Sequence, residues 1–181
     1  VADAVGFTDA ELSADGFLGG KITLLQPRSG YRAGVDPVFL AAAVNARAGQ
    51  RVLELGCGAG QALLCLGARV PDLALSGVEL QAPYADLARR NAAANAASAR
   101  IWTADLTALP AELRQQSFDH VIANPPYFDR SASIGAVDEG REHAMGEATA
   151  LAIWSASPSA CPISPTLAQT RFGYRRSLNP P

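Results

Sequence analysis

The stretch ELGCGAG at residues 54–60 constrains the fold more than any other part of the chain. It closes the apolar run RVLEL and opens AGQALLCLGARV, so a buried strand passes through a glycine turn straight into a helix. The same texture repeats downstream. LALSGVEL reads as a second strand, PYADLARRNAAANAA as a helix opened by Pro83, ARIWTADL as a third strand and FDHVIA as a fourth. Strands that are apolar throughout and alternate with helices belong to a parallel sheet covered on both faces. The expected fold class is therefore α/β, a mostly parallel sheet with helices on both faces, incomplete after the fourth strand. Upstream, FTDAEL places Thr8 and Glu11 at capping-box spacing and predicts a helix entrance. GFLGGKITLLQP predicts a hairpin around Gly19-Gly20, and PVFLAAAVNA a helix with Pro37 in its first turn.

With 181 residues and 49% hydrophobic content there is material for one core and hardly for two. The formal charge of −2 gives no global sign of a nucleic-acid binder, so such a partner would be held by a local patch of arginines. Cys57, Cys65 and Cys161 form no CxxC pair and leave an odd cysteine over, which argues against a disulfide framework or a zinc site; no metal is expected. No basic-then-apolar leader stands at Val1 and no apolar run is long enough to span a bilayer, so a soluble cytoplasmic protein is expected, without membrane contact.

The acids fall where an open α/β sheet binds ligands, at the carboxyl ends of its strands. Gly56, Gly58 and Gly60 permit a tight turn and close approach of a ligand to bare backbone, and amides at the following helix start can hold a carboxylate. The spacing is GxGxG with Glu54 two residues before it, not the GxGxxG of dinucleotide binders. Glu79 ends the second strand, where a carboxylate can accept from both hydroxyls of a ribose. Asp105 in TADL falls on the same edge and suits an adenine amino group.

NPPY at residues 124–127 follows the fourth strand on that edge. A Pro-Pro backbone cannot flex away, so the Asn124 side-chain oxygen and the Pro125 carbonyl, with Pro126 behind them, make two acceptors aimed at one point. Two acceptors suit an –NH2 group, whose lone pair is freed for attack when both protons are drawn off the plane. Tyr127 adds a flat face for stacking. The pattern points to a nucleophile-activating mount.

Together ELGCGAG, the acid of GVEL, TADL and NPPY resemble the class I S-adenosylmethionine-dependent amino-methyltransferases, which have a Rossmann-like sheet. QPRSGYRAGVDPVFLAAAV and REHAMGEAT narrow the resemblance to the bacterial tRNA (adenine-N6)-methyltransferases that act on a valine tRNA. The likeness covers about residues 15–154. It implies S-adenosyl-L-methionine as cofactor and tRNA as substrate. On that resemblance Glu54 and residues 56–60 lie along the methionine part of the cofactor, Glu79 at its ribose, Asp105 and the adjoining Leu106 at its adenine, and Asp36 forms the upstream wall. Asn124, Pro125, Pro126 and Tyr127 would receive the target base. NPPY also serves methyltransferases of protein glutamine amides and of DNA adenine, and a fragment that binds cofactor without turnover is the rival from another class.

The remaining features carry less. His120 and His143 lack partners at ligand or triad spacing, Asp119 reads as a strand-edge charge, and Cys57 and Cys65 are given no reactive role. Residues 1–154 read as the methyltransferase domain and 155–181 as an irregular tail with prolines at 158, 162, 165, 180 and 181. Those prolines predict that the tail does not pair with the fourth strand. The abrupt Ser/Pro/Arg-rich run within residues 148–181 is what a shifted reading frame in a GC-rich gene could produce, and RFGYRR in the tail has an RNA-compatible composition that is taken as incidental.

Overall fold

A computed structural model describes residues 6–124 and 167–168. Two strands, β1 (Leu12–Phe17) and β2 (Ile22–Pro27), form the expected antiparallel hairpin, with Gly16 opposite Thr23. The connection runs through Leu18, Gly19 and Gly20, all at positive φ. The FTDAEL signal gives a single 3₁₀ turn, Asp9–Glu11, rather than a full helix, although Glu11 Oε2 does accept from Thr8 N at 2.8 Å. Helix α1 (Asp36–Ala43) has Pro37 in its first turn, and its last carbonyls are covered by Arg69, whose guanidinium donates to Ala41 O and Val44 O.

The main sheet follows from β3 (Arg51–Leu55), β4 (Ala74–Glu79), β5 (Ala99–Thr103) and β6 (His120–Ala123), with α2 (Gln61–Arg69), α3 (Ala82–Ala94) and the short α4 (Ala111–Arg114) between them. The strand order is β5-β4-β3-β6 with a two-residue strand, β7 (Leu167–Ala168), beside β6, every pairing parallel. Alternation along each strand divides the core. Val52, Leu75, Ile101 and Ile122 pack with Leu63, Leu64 and Ala88 of the helices and with Ile22 and Leu24 of the hairpin. Leu53, Val78 and Val121 face the other way, onto Leu113 and Phe118. Each such buried side chain stabilises the fold by about 1.5–3 kcal/mol. Glu54 falls on the Val52 face, the helix side, because it lies two residues on.

Two of the sheet edges in the described region are met by side chains. On the hairpin, Thr23 and Leu25 point their backbone groups away from β1 and toward α3. Asn95 Nδ2 donates to Thr23 O (2.7 Å) while its Oδ1 accepts from Thr23 N (2.9 Å), and Asn91 treats Leu25 in the same way. The two asparagines, one helical turn apart, take the place of a third strand. On the far side of the main sheet Arg89 donates to Ile101 O in the edge strand β5.

A second expectation fails in the tail. The tail was not expected to pair with the fourth strand, yet β7 (Leu167–Ala168) lies parallel to it, Leu167 opposite Val121 and Ala168 opposite Ile122. The prolines at 158, 162 and 165 all precede this pair, so Leu167 and Ala168 keep their backbone N–H donors. The rest of the tail lies outside the described residues.

Candidate functional site

The register brings the carboxyl ends of four strands level. Leu55 pairs with Val78 on one side and Ala123 on the other, and Glu79 pairs with Thr103. Gly56, Glu79, Thr103 and Asn124 therefore stand in one row across the sheet edge, with the glycine loop above it.

The loop depends on its glycines. Gly56, Gly58 and Gly60 have φ of 66°, 53° and 84°, a region where a side chain meets its own backbone. The turn folds down on β4, with Cys57 N donating to Val78 O at 3.0 Å. Such close approach requires Gly77 beneath it, since a Cβ there would lie 2.7 Å from Cys57 Sγ. The loop then becomes α2 as Gly60 O accepts from Leu64 N at 3.0 Å.

Two carboxylates hold this loop from below. Glu79 Oε2 accepts from Gly58 N at 2.9 Å and its Oε1 from Gln81 N at 2.8 Å. Glu54 Oε2 accepts from Leu63 N, 3.2 Å away in the first turn of α2. Both acids are buried, and among the described residues no ion pair reaches either. Burial raises the Glu54 carboxyl to about 8; the Leu63 amide opposes the shift only in part and the neighbouring Glu79 adds to it. Burial raises Glu79 too, against the amides of Gln81, Gly58 and Leu80. Two sheltered acids that lack a counter-charge form a seat for a cationic or hydroxyl-rich ligand. The sequence led us to expect helix-start amides free to hold a ligand carboxylate. At Leu63 the chain's own Glu54 takes that place, because its strand ends directly beneath the helix.

The other predicted residues are placed as follows. Asp105 is exposed and caps the 3₁₀ turn Leu106–Ala108, its Oδ1 accepting from Thr107 N and Oγ1, both at 2.7 Å; these bonds hold its carboxyl below the usual range. Leu106 is half-buried and packs against the cluster of Leu53, Val78, Leu113, Phe118 and Val121. Asp36 begins α1, half-buried, and α1 rests on α2. Asn124 is half-buried directly after β6. Pro125, Pro126 and Tyr127 lie outside the described residues, as do His143, Cys161 and RFGYRR.

Residues set aside on sequence grounds have structural roles. His120 is buried at the opposite end of β6, its Nε2 3.0 Å from Gln50 Oε1. Asp119 accepts from Arg51 N at 2.8 Å and joins the start of β6 to β3. Cys57 and Cys65 are buried thiols; burial raises the first well above its ordinary value and the second to about 11, so neither is a ready nucleophile.

Sequence reasoning missed Asn91. Its Nδ2 reaches Ala59 O in the loop at 3.0 Å from inside α3. The signal was the NAAAN spacing of residues 91–95, with Asn91 inside a helix where it has no propensity reason to stand and Asn95 one turn on at the C-cap.

The chain is similar to known proteins. The tRNA1(Val) (adenine(37)-N6)-methyltransferase of Yersinia enterocolitica is 32% identical over 136 residues, 74% of this chain and 53% of that protein. The protein of the same description from Porphyromonas gingivalis is 36% identical over 126 residues, 65% of this chain and 49% of its own. The chain thus spans about half the length of these curated relatives. Among solved structures, the 16S rRNA N2 methyltransferase of T. thermophilus, in complex with AdoMet and guanosine, is similar in fold. It covers 77% of this chain and 38% of its own at 24% identity, with a TM-score of 0.53. The family model of the methyltransferase small domain matches residues 33–144, which include every described site residue. The chain belongs to the methyltransferase small domain family.

Proposed function

We propose that this chain transfers a methyl group from S-adenosyl-L-methionine to the N6 amino group of adenine in a tRNA, with residues 1–154 as the catalytic unit. The observation that carries the reading is the meeting of Glu54 and Glu79, buried and without an ion pair among the described residues, around a positive-φ glycine loop, with Asn124 just past β6 in the same row as Glu79. The residues fit the cofactor. Glu54 suits its ammonium, Glu79 the ribose hydroxyls, Asp105 with Leu106 the adenine, and Asp36 closes the upstream side. When bound, S-adenosylmethionine supplies a methyl group on a positively charged sulfur.

The chain's own part is to seat and aim. Asn124 Oδ1, with the Pro125 carbonyl, accepts from both protons of the target amino group, which frees the nitrogen lone pair toward the methyl. Tyr127 stacks on the base. Positioning of this kind supplies most of the rate, and no strong general base is required because the amino group becomes acidic once methylated. The names of the curated relatives support adenine N6 in tRNA as the target. A second reading, cofactor binding without turnover, rests on Glu54, Glu79 and the glycine loop alone.

Incubation with labelled cofactor and, in separate reactions, total unmodified tRNA, genomic DNA and a protein extract, followed by nucleoside and amino-acid analysis, tests both. N6-methyladenosine is the expected product. Binding of S-adenosylhomocysteine without label transfer favours the second reading, and label on a protein glutamine or on DNA adenine instead overturns the RNA assignment.

A further inference from the structure

Asn91 is wholly buried in α3, and both N–H groups of its amide donate to backbone carbonyls from separate parts of the fold. One reaches Leu25 O in β2 and the other Ala59 O in the glycine loop, each at 3.0 Å, while Oδ1 accepts from Leu25 N at 2.7 Å. The amide cannot be reversed without setting N–H against N–H and oxygen against two carbonyls. Ala59 stands between Gly58 and Gly60, both at positive φ, and Gly58 N is the donor that Glu79 holds. A peptide flanked by glycines has little steric restraint of its own, so hydrogen bonds must fix its direction.

We propose that Asn91 is a positioning residue for the glycine loop, and that the N-terminal hairpin, through the same side chain, is part of that loop's support. The inference rests on the reading of the loop as the cofactor seat. Asn95 supplies the internal control. Its side chain holds Thr23 by the same two-bond pattern and, among the described residues, otherwise donates only to Asn91 O at the end of α3, so it docks the hairpin without touching the loop. If Asn91 served only to dock the hairpin, the two asparagines would be interchangeable in effect.

The test compares Asn91→Ala, Asn91→Asp and Asn95→Ala in the full chain by amide hydrogen exchange across residues 57–64 and by calorimetric affinity for S-adenosylhomocysteine. Asp keeps the shape and the acceptor for Leu25 N but turns an oxygen toward the two carbonyls, so it decides the matter if the Ala variant does not fold. Both Asn91 variants are expected to speed loop exchange and to weaken binding by about tenfold, the consequence of leaving a buried carbonyl unsatisfied. Asn95→Ala should speed exchange at the hairpin alone and leave affinity within about twofold. Unchanged loop exchange in a folded Asn91 variant overturns the proposal, and so does an equal loss of affinity in Asn95→Ala. Should the wild-type chain not bind S-adenosylhomocysteine, the cofactor reading fails. Loop exchange then decides alone: faster in the Asn91 variants upholds the positioning role, and no difference overturns it.

Discussion

Glu79 has two duties that a substitution separates poorly: it holds Gly58 N and Gln81 N, and it is the proposed ribose acceptor. Glu79→Ala should therefore weaken cofactor binding by about 2 kcal/mol through the lost charged acceptor, with further loss if the loop moves. Calorimetry on the folded variant checks this, and an unchanged affinity would remove Glu79 from the site. Asn124→Ala should behave otherwise. Its proposed contact is with the substrate amino group, so methyl transfer should fall on the order of 10²-fold or more, as when a preorganised polar group is lost, while cofactor affinity holds. Near wild-type turnover in that variant would end the two-acceptor mechanism. At this scale the sequence revealed the acids well, because strand-end carboxylates beside a glycine loop stand out in a run of apolar residues. It did not reveal where their bonds go. That Glu54 binds Leu63 depends on the angle between β3 and α2, which no local pattern encodes, and Asn91 acts across more than sixty residues of chain on Leu25.

The elements were legible wherever one period ruled them. β3, β4 and β6 are short buried runs, α3 has Pro83 in its first turn, and the hairpin turns at its glycines, all as read from the sequence. Two readings failed for different reasons. The capping box at Thr8 formed, but the chain turns into β1 at Leu12, so local capping could not extend a helix against the pairing of Leu12 with Pro27. The tail's prolines were taken to exclude a fifth strand, when they exclude it only at their own positions. Packing between elements yields a sharper prediction at Gly77, where the loop lies on β4. Gly77→Ala sets a Cβ 2.7 Å from Cys57 Sγ and 3.0 Å from Ile101 Cδ1, and should destabilise the fold by about 1–3 kcal/mol. Cys57→Ala in the same chain should restore part of that, measured by denaturant unfolding of both single variants and the double. Strict additivity would show that the strain does not lie between these two residues.

For the whole molecule, the buried acids set how stability varies with pH. Glu54 titrates near 8 in the folded chain and near the ordinary carboxylate value once unfolded. Folding therefore favours its protonated form. Its contribution is fully present below the unfolded value, falls as pH rises from about 4.5 toward 8, and is lost above; Glu79, shifted the same way, adds to the slope. Thermal unfolding of the protein alone should show stability declining across that window, and Glu54→Gln should flatten the decline. An equal slope in the variant would place the cost elsewhere. A consequence follows for the heat of binding. At neutral pH the folded chain carries a proton on Glu54, and a ligand ammonium seated there would expel it into the solvent. Calorimetric titration with S-adenosylhomocysteine near pH 7 should then give an enthalpy that varies linearly with the ionisation enthalpy of the buffer. The sign of that slope should report proton release, and Glu54→Gln should abolish it.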